Sequence, residues 1–346
     1  MPALVVLTEQ LFAPVPGGTG RYTAELMAAL RRSLPADWSL SGVSAYHRGT
    51  PGRVLPLPRK ALTLAWERGL PLWPGGDIVH APTPFAPPRP RRGRALVVTI
   101  HDTVPFTHPE TLTPRGAQWH RAMIKRYTTT ASAVVVPTKA VAAELAQYAP
   151  GPAPVHVIGH GVSSALQDAG ESSLALPDKY VLAVGTREPR KGLDVLVEAM
   201  SKVPELRLVI AGPAGWGAVE LGDRAIVLGR LSDRELAVVL RRAAVLAVPS
   251  LAEGFGLPLL EAMALGVPVV HSDAPALVEV AGGTGLTARR GDPEALAAAL
   301  RRVLDEPAET AERVQRARQR AQTYSWDAAA AALWSLYRSL YRSPTR

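Results

Sequence analysis

The sequence predicts an α/β chain built from two doubly wound parallel sheets, and three observations carry that prediction. Short continuous apolar runs alternate with amphipathic helical stretches along most of the 346 residues, the pattern of strands covered by helices on both faces. The alternation comes as two successive series, and the length allows two domains of ordinary size. The residues with chemistry to offer fall just after strands, where ligands bind in sheets of this kind.

Taken in order, the first series has strand candidates at Ala3–Thr8, Ser39–Tyr46, Asp77–Ala81, Ala95–His101, Ala133–Pro137 and Val155–Ile158. Its helix candidates include Gly20–Leu34, Arg115–Thr129 and Lys139–Tyr148. The Pro- and Arg-rich stretch Pro82–Arg94 reads as an irregular loop. The boundary is expected near Ile158–Gln167, where a strand gives way to polar, Gly- and Ser-containing sequence. The second series has strands at Tyr180–Gly185, Leu206–Ala211, Ala225–Leu228, Ala244–Val248 and Val267–His271, with helices such as Leu193–Lys202 and Asp233–Arg242 between them. The last segment, Ser325–Tyr341, is an amphipathic helix carrying Trp326, Leu333, Trp334, Leu336, Tyr337, Leu340 and Tyr341, expected to pack back on the first domain. The expected domains are residues 1–162, 163–324 and this terminal helix within 325–346.

Composition narrows the function classes. With 47% hydrophobic and 20% charged residues the chain can build real cores. It has no cysteine, which excludes disulfides and thiolate metal sites. No stretch approaches the ~20 apolar residues that span a bilayer, and the first residues run straight into a strand-like Ala3–Leu7 without a basic, cleavable leader pattern. A cytoplasmic protein is expected. The net charge of +9 implies an anionic partner. Zinc-finger spacing, an aromatic RNA-binding signature and a long basic tail are all missing from the sequence, so nucleic acid is not the expected partner. One helical stretch mixes basic and apolar residues (Trp119, His120, Arg121, Met123, Lys125, Arg126), the kind that can lie on anionic lipid; an ordinary half-buried helix is the competing reading.

The most informative stretch is Pro249–Met263. An apolar strand stops at Pro249, Glu253 follows in a loop flanked by Gly254 and Gly256, and Pro258 suits the first turn of a helix. Glu261 then falls about one turn into that helix. Carboxylates accept hydrogen bonds and so suit hydroxyls; backbone N–H groups and the positive helix end suit phosphate. The stretch reads as a receptor for a sugar phosphate. After the strand ending near Gly185 come Arg190 and Lys191, just before a helix. Two cations there complement a diphosphate, arginine through bidentate geometry and lysine as a point charge. In the first series, Gly17-Gly-Thr-Gly-Arg-Tyr22 opens a helix and lets a substrate approach the backbone. It lacks the spacing of the dinucleotide fingerprint and of the P-loop lysine motif. His101, at a strand end, can donate to a sugar hydroxyl or a leaving phosphate, with Asp102 free to cap the next turn. No Asp-x-Asp pair and no histidine cluster with metal-ligand spacing occurs in the sequence, so no metal or other cofactor is expected.

Together Gly17–Tyr22, His101–Pro105, Glu188–Gly192, Glu253–Glu261 and Tyr324-Ser-Trp-Asp327 resemble the family 4 retaining glycosyltransferases, also called glycosyltransferase group 1, over nearly the whole chain. The Glu-x7-Glu element in its Glu-Gly-Phe-Gly-Leu-Pro setting is the specific part. The resemblance implies the GT-B fold, two Rossmann-like domains facing a cleft. It implies transfer of a hexose from a nucleotide diphosphate sugar to an acceptor hydroxyl, with retention and an α-linkage, in glycan, glycolipid or polysaccharide synthesis. The acceptor it implies is glycan or lipid-linked, bound by the first domain, with the nucleotide sugar on the second. Carried over residue by residue, it implies that Glu253 contacts the donor hexose and that Glu261 binds the ribose hydroxyls. Backbone at Gly254, Phe255 and Gly256, with Leu257, holds sugar and diphosphate. Arg190 and Lys191 neutralise the diphosphate, His101 reaches the sugar or phosphate, and Gly17 and Gly18 line the opposite side.

Two departures stand out. Thr186 occupies the place, five before the lysine, where many members carry arginine, and the linker reads Gly159-His-Gly-Val162 rather than Pro-Asn-Gly-Val. The motif forms look most like mannosyltransferases, which favours GDP-mannose with UDP-sugars close behind. Alternatives are a GT-B-fold epimerase or phosphorylase, or a non-catalytic binder of anionic ligands. Peripheral contact with the inner face of the cell membrane is a further expectation.

Overall fold

The computed structural model describes residues 1–15, 17–47, 53–166, 174–215, 220–223 and 225–342. Gln167, the end of the expected boundary stretch, and residues 343–346 of the last segment lie outside them. The chain divides into two compact units, Met1–His160 with Trp326–Arg346, and Gly161–Ser325. The sequence reading places these divisions at 162/163 and 324/325.

Among the described residues the first unit holds seven strands, β1 (Ala3–Leu7), β2 (Ser39–Ser44), β3 (Arg53–Val54), β4 (Ile78–Ala81), β5 (Ala95–Thr99), β6 (Ala133–Val136) and β7 (Val155–Val157). They form one parallel sheet in the order β3-β2-β1-β4-β5-β6-β7. Helices α1 (Gly17–Arg32), α2 (Arg59–Glu67), α3 (Val104–Thr107), α4 (Pro114–Thr130) and α5 (Lys139–Tyr148) connect them. The central strands β4, β5 and β6 are buried along their whole length, whereas the edge strand β7 is half exposed. Continuous apolar strands need cover on both faces, and the crossover helices supply it.

In α1 the helix begins at Gly17, three residues before the expected Gly20. Poor helix formers are tolerated there because first-turn N–H groups lack intrahelical partners in any helix. The burial of Tyr22, Leu26, Ala29 and Leu30 along one stripe then fixes the rest.

The second unit holds β8 (Tyr180–Val184), β9 (Arg207–Ala211), β10 (Ala225–Gly229), β11 (Val245–Val248), β12 (Val269–Ser272) and β13 (Leu286–Ala288). They too are all parallel, in the order β10-β9-β8-β11-β12-β13. Its helices are α6 (Leu193–Met200), α7 (Asp233–Arg242), α8 (Leu257–Leu265), α9 (Pro275–Ala281), α10 (Pro293–Asp305) and α11 (Pro307–Ala321). Two apolar cores lie on the two sides of the sheet, one centred on Leu182, Leu246, Leu259 and Met263 and the other on Val181, Leu196, Ile210 and Val270. The two units thus carry the doubly wound, Rossmann-like architecture expected of each.

The last helix, α12 (Trp326–Arg342), belongs to the first unit. Trp334 Nε1 donates to Ser33 Oγ at 3.2 Å, and the Trp334 ring meets Trp38 edge-on at 5.4 Å. The helix that reads as a membrane-surface candidate, α4, buries Met123, Ile124 and Tyr127. Two of its cations turn inward: Arg126 donates to the carbonyls of Trp66 (2.7 Å) and Glu67 (2.8 Å), and Arg121 to that of Pro105, while Arg115 and Lys125 are exposed. Among the described residues no helix is long and apolar enough to cross a membrane.

Candidate functional site

In a doubly wound sheet the strand order reverses at one point, and the loops leaving the two strands there splay apart to open a crevice. In the second unit that point lies between β8 and β11, which pair through Val181–Val245 and Leu182–Leu246. The loop after β8 carries Arg190 and Lys191; the loop after β11 carries Glu253. Parallel pairing therefore brings together side chains more than sixty residues apart in sequence.

The two loops are joined through backbone. Leu251 N–H donates to the Arg190 carbonyl at 2.8 Å. Gly192 sits between the Pro189–Lys191 turn and α6 with φ +64°, and a Cβ there would lie 2.4 Å from the Pro249 carbonyl oxygen. Only glycine permits both the left-handed backbone and that close approach.

On this frame Glu253 Oε1 accepts from Lys191 Nζ at 2.7 Å and from Ser250 Oγ at 2.8 Å, while Oε2 accepts from Arg190 Nη1 at 3.2 Å. Arg190 also donates to the Ala252 carbonyl at 2.8 Å and to the Glu188 carboxylate. The Glu253 side chain is only 10% exposed, and those of Arg190 and Lys191 less than a fifth. Burial pushes the Glu253 carboxyl up, but the Lys191 and Arg190 charges, with the hydrogen bonds from Lys191 and Ser250, overcome it and hold the group at about 2. The cluster is thus two cations against two carboxylates, each ionised group facing an opposite charge.

The carboxyl falls from an ordinary 4.5 to about 2 on folding, so its ion pairs stabilise the fold fully above pH 4.5. That stability is lost as pH falls toward 2. Wild type should therefore lose on the order of 3 kcal/mol more than Glu253→Gln between pH 5 and pH 2. Urea unfolding midpoints across that range measure the difference, and parallel pH profiles would contradict it.

The rest of the Glu-x7-Glu element is set by α8. Gly256 caps the helix with φ +90°, where a Cβ would meet Leu277 Cδ2 at 2.5 Å, and a proline stands in the first turn. Glu261 is 2% exposed on this helix, and Leu257 is half-buried against the core. The Phe255 side chain is buried and meets the Tyr324 ring edge-on at 5.5 Å, so Phe255 has only its backbone to offer a ligand.

In the first unit, His101 follows β5. Its Nε2 donates to the Pro82 carbonyl at 2.8 Å. Burial lowers its pKa, against the opposing effects of that carbonyl and of Asp102. A neutral ring whose N–H is spent on Pro82 leaves Nδ1 as an acceptor. So held, the ring has an acceptor at Nδ1 to offer, where the sequence reading expects a donor. Asp102 Oδ1 accepts from Val104 N–H at 3.1 Å, capping α3. Gly17 and Gly18 lie in the first turn of α1.

Sequence reasoning missed Glu188, which shares Arg190, and Ser250, which shares Glu253. Both lie inside stretches it singled out, but nothing in their spacing shows the pairing. It also missed Tyr22 and His160, whose rings stand 4.7 Å and 5.7 Å from that of His101. Among the described residues no group of three or more His, Asp or Glu side chains is placed to hold a metal ion.

Two family models match the chain, "Glycosyl transferases group 1" over residues 167–322 and "Glycosyltransferase Family 4" over residues 16–166. MMP alpha-(1->4)-mannosyltransferase of Mycolicibacterium hassiacum is 34% identical over 275 residues, covering 71% of this chain and 66% of that protein. The chain spans about half the length of further curated relatives that it matches. Among solved structures, sucrose-phosphate synthase from Thermosynechococcus elongatus aligns with TM-score 0.82 at 24% identity, covering 99% of this chain and 100% of that one. Anabaena HepE in complex with UDP-glucose aligns with TM-score 0.75 at 19% identity, covering 98% and 100%. At these identities the structural likeness speaks to fold alone.

Proposed function

The chain belongs to the family 4, group 1 glycosyltransferases, and from that premise we propose that it moves a hexose from a nucleotide diphosphate sugar to an acceptor hydroxyl with retention, forming an α-linkage. The observation that carries this reading is the convergence of Arg190, Lys191 and Glu253 at the switch point of the second sheet. That place suits an anionic ligand, and two cations held on backbone-fixed loops suit a diphosphate.

In the resting protein the cations are neutralised by Glu253. An arriving diphosphate competes for Lys191 and Arg190 and frees the carboxylate to accept hydrogen bonds from the donor hexose. Glu261 takes the ribose hydroxyls, backbone at Gly254, Phe255 and Gly256 with Leu257 lines the sugar and diphosphate, and His101 Nδ1 accepts from a sugar hydroxyl. Gly17 and Gly18 give a substrate close access to backbone. The transition state is oxocarbenium-like, so the main task is to stabilise the departing diphosphate. Preorganised cations and the positive end of α8 perform that task without a metal ion.

The donor is a hexose nucleotide, with GDP-mannose first. The mannosyl transfer in the name of the Mycolicibacterium relative supports mannose. The acceptor is glycan or lipid-linked. Contact with an anionic membrane gains nothing from Arg121 and Arg126 of α4, which are engaged with backbone carbonyls.

A thermal-shift panel of nucleotide sugars and nucleoside diphosphates tests this. A ligand at a hundred times its dissociation constant adds ~2.7 kcal/mol, which raises the midpoint by several degrees. GDP-mannose is expected to give the largest shift, in the presence of a chelator as well as without it. Silence across the whole panel would overturn the reading.

A further inference from the structure

A chain of buried polar groups runs beneath the His101 ring in the first unit. Tyr337 of α12 places its hydroxyl 2.6 Å from His80 Nδ1. His80 Nε2 lies 2.8 Å from Thr99 Oγ1, and that hydroxyl lies 3.2 Å from the Tyr22 hydroxyl on α1. All four residues are at most 3% exposed. Burial holds His80 at about 3 and Tyr22 at about 12, so the chain stays neutral at physiological pH and both His80 nitrogens are occupied. Polar groups buried in a parallel-sheet core cost more than apolar packing unless every member is satisfied, and a satisfied network fixes geometry instead.

What this network fixes is the wall around His101. The Tyr22 ring stands nearly perpendicular to the imidazole at a centroid distance of 4.7 Å. His160 packs on Tyr22 at 4.8 Å and on His101 at 5.7 Å, and Trp326 stacks on His160 at 5.6 Å, 14° from coplanar, and meets Tyr22 at 5.8 Å. Trp326 and Tyr337 are both on α12. The last helix thus reaches the histidine twice: from its first residue through His160, and from Tyr337, about three turns on, through His80, Thr99 and Tyr22.

We propose that α12 acts as a positioning element for His101. Tyr337, His80 and Thr99 brace the imidazole through the Tyr22 ring, and Trp326 braces it through His160 and Tyr22, so that Nε2 stays on the Pro82 carbonyl and Nδ1 keeps one direction. This rests on the role given to His101 above. The geometry goes further than that role, because it assigns functional weight to residues that touch no substrate and to a helix remote in sequence.

The test is a double-mutant cycle. Tyr337→Phe and Thr99→Val are made in wild type and in His101→Ala, and kcat and KM are measured with the nucleotide sugar that the thermal-shift panel selects. In the wild-type background each substitution is expected to lower kcat about tenfold, with donor KM changed less than about twofold. In His101→Ala the same substitutions should change kcat by less than about twofold, since the group they orient is gone. Equal losses in the two backgrounds would overturn the proposal. Tyr341→Ala is the control for simple destabilisation: it lies on the same helix, packs edge-on against Trp38 at 5.7 Å, and should lower the melting temperature while kcat holds. Nitrogen-15 NMR of the imidazoles reads the geometry without turnover. His101 should be a single Nε2–H tautomer in wild type and a mixture in Thr99→Val; identical spectra would also overturn the proposal. Should wild type turn over no nucleotide sugar, the functional reading fails, and the NMR result still decides whether the helix positions the histidine.

Discussion

Replacing Lys191 by alanine is expected to lower the rate of glycosyl transfer at least a hundredfold while the protein stays folded. Loss of one preorganised donor to a developing anion typically removes roughly 3 kcal/mol of barrier stabilisation. Lys191 is the stronger of the two cations on Glu253, at 2.7 Å against 3.2 Å for Arg190. Among the described residues its ammonium bonds Glu253 alone, whereas Arg190 also bonds Glu188 and the Ala252 carbonyl and so ties the loops together. Lys191→Ala is for that reason the cleaner substitution, and Arg190→Ala should cost stability as well as rate. Glu253 in the variant keeps Arg190 and Ser250, so the carboxylate is not stranded and unfolding is not expected. Steady-state kinetics with the donor, beside a circular-dichroism melt, check both halves. A folded variant with wild-type turnover would remove the diphosphate clamp from the account.

Gly192→Ala should be strongly destabilising to the second unit. The position has φ +64°, which costs a residue with a Cβ about 1–2 kcal/mol. The added carbon would also sit 2.4 Å from the Pro249 carbonyl oxygen and 3.1 Å from its carbon. That neighbour is backbone at the end of β11 and cannot rotate away, so the loops after β8 and β11 must part. Roughly 3 kcal/mol or more of stability should go, about 10 °C in melting temperature for a unit of this size. Because the same approach holds Arg190 and Lys191 against Glu253, activity should fall even at temperatures where the variant is folded. A melting temperature within two or three degrees of wild type, with activity retained, would show that the loops are not locked to each other at this point.

Much of this organisation is legible in the sequence. The buried strands announce themselves as short apolar runs, and the rule that ligands gather beyond strand ends picks out His101, Lys191 and Glu253 before any fold is seen. Short edge elements escape: β3 has two residues and β13 three, too few for a periodic signal. Glycines hide the true start of α1, because propensity argues against a helix that tertiary burial of Tyr22 and Leu26 enforces. Pairings are the larger blind spot. That Lys191 and Arg190 spend their charge on Glu253 depends on β8 and β11 being neighbours, which strand order decides and spacing does not. His80 reads as one more residue of an apolar strand, and its link to Tyr337, 257 positions away, exists only in the folded unit. His101 shows the middle case: its place is predictable, but its tautomer follows from the Pro82 carbonyl that faces it.

The most direct test of the central claim is a calorimetric titration of wild type and Lys191→Ala with GDP, UDP, GDP-mannose and UDP-glucose. Wild type should bind at least one nucleoside diphosphate and its sugar saturably. Affinity should fall about tenfold or more in the variant, the loss of one charge-assisted contact to phosphate. Binding of equal strength to both proteins, or to neither, would contradict it.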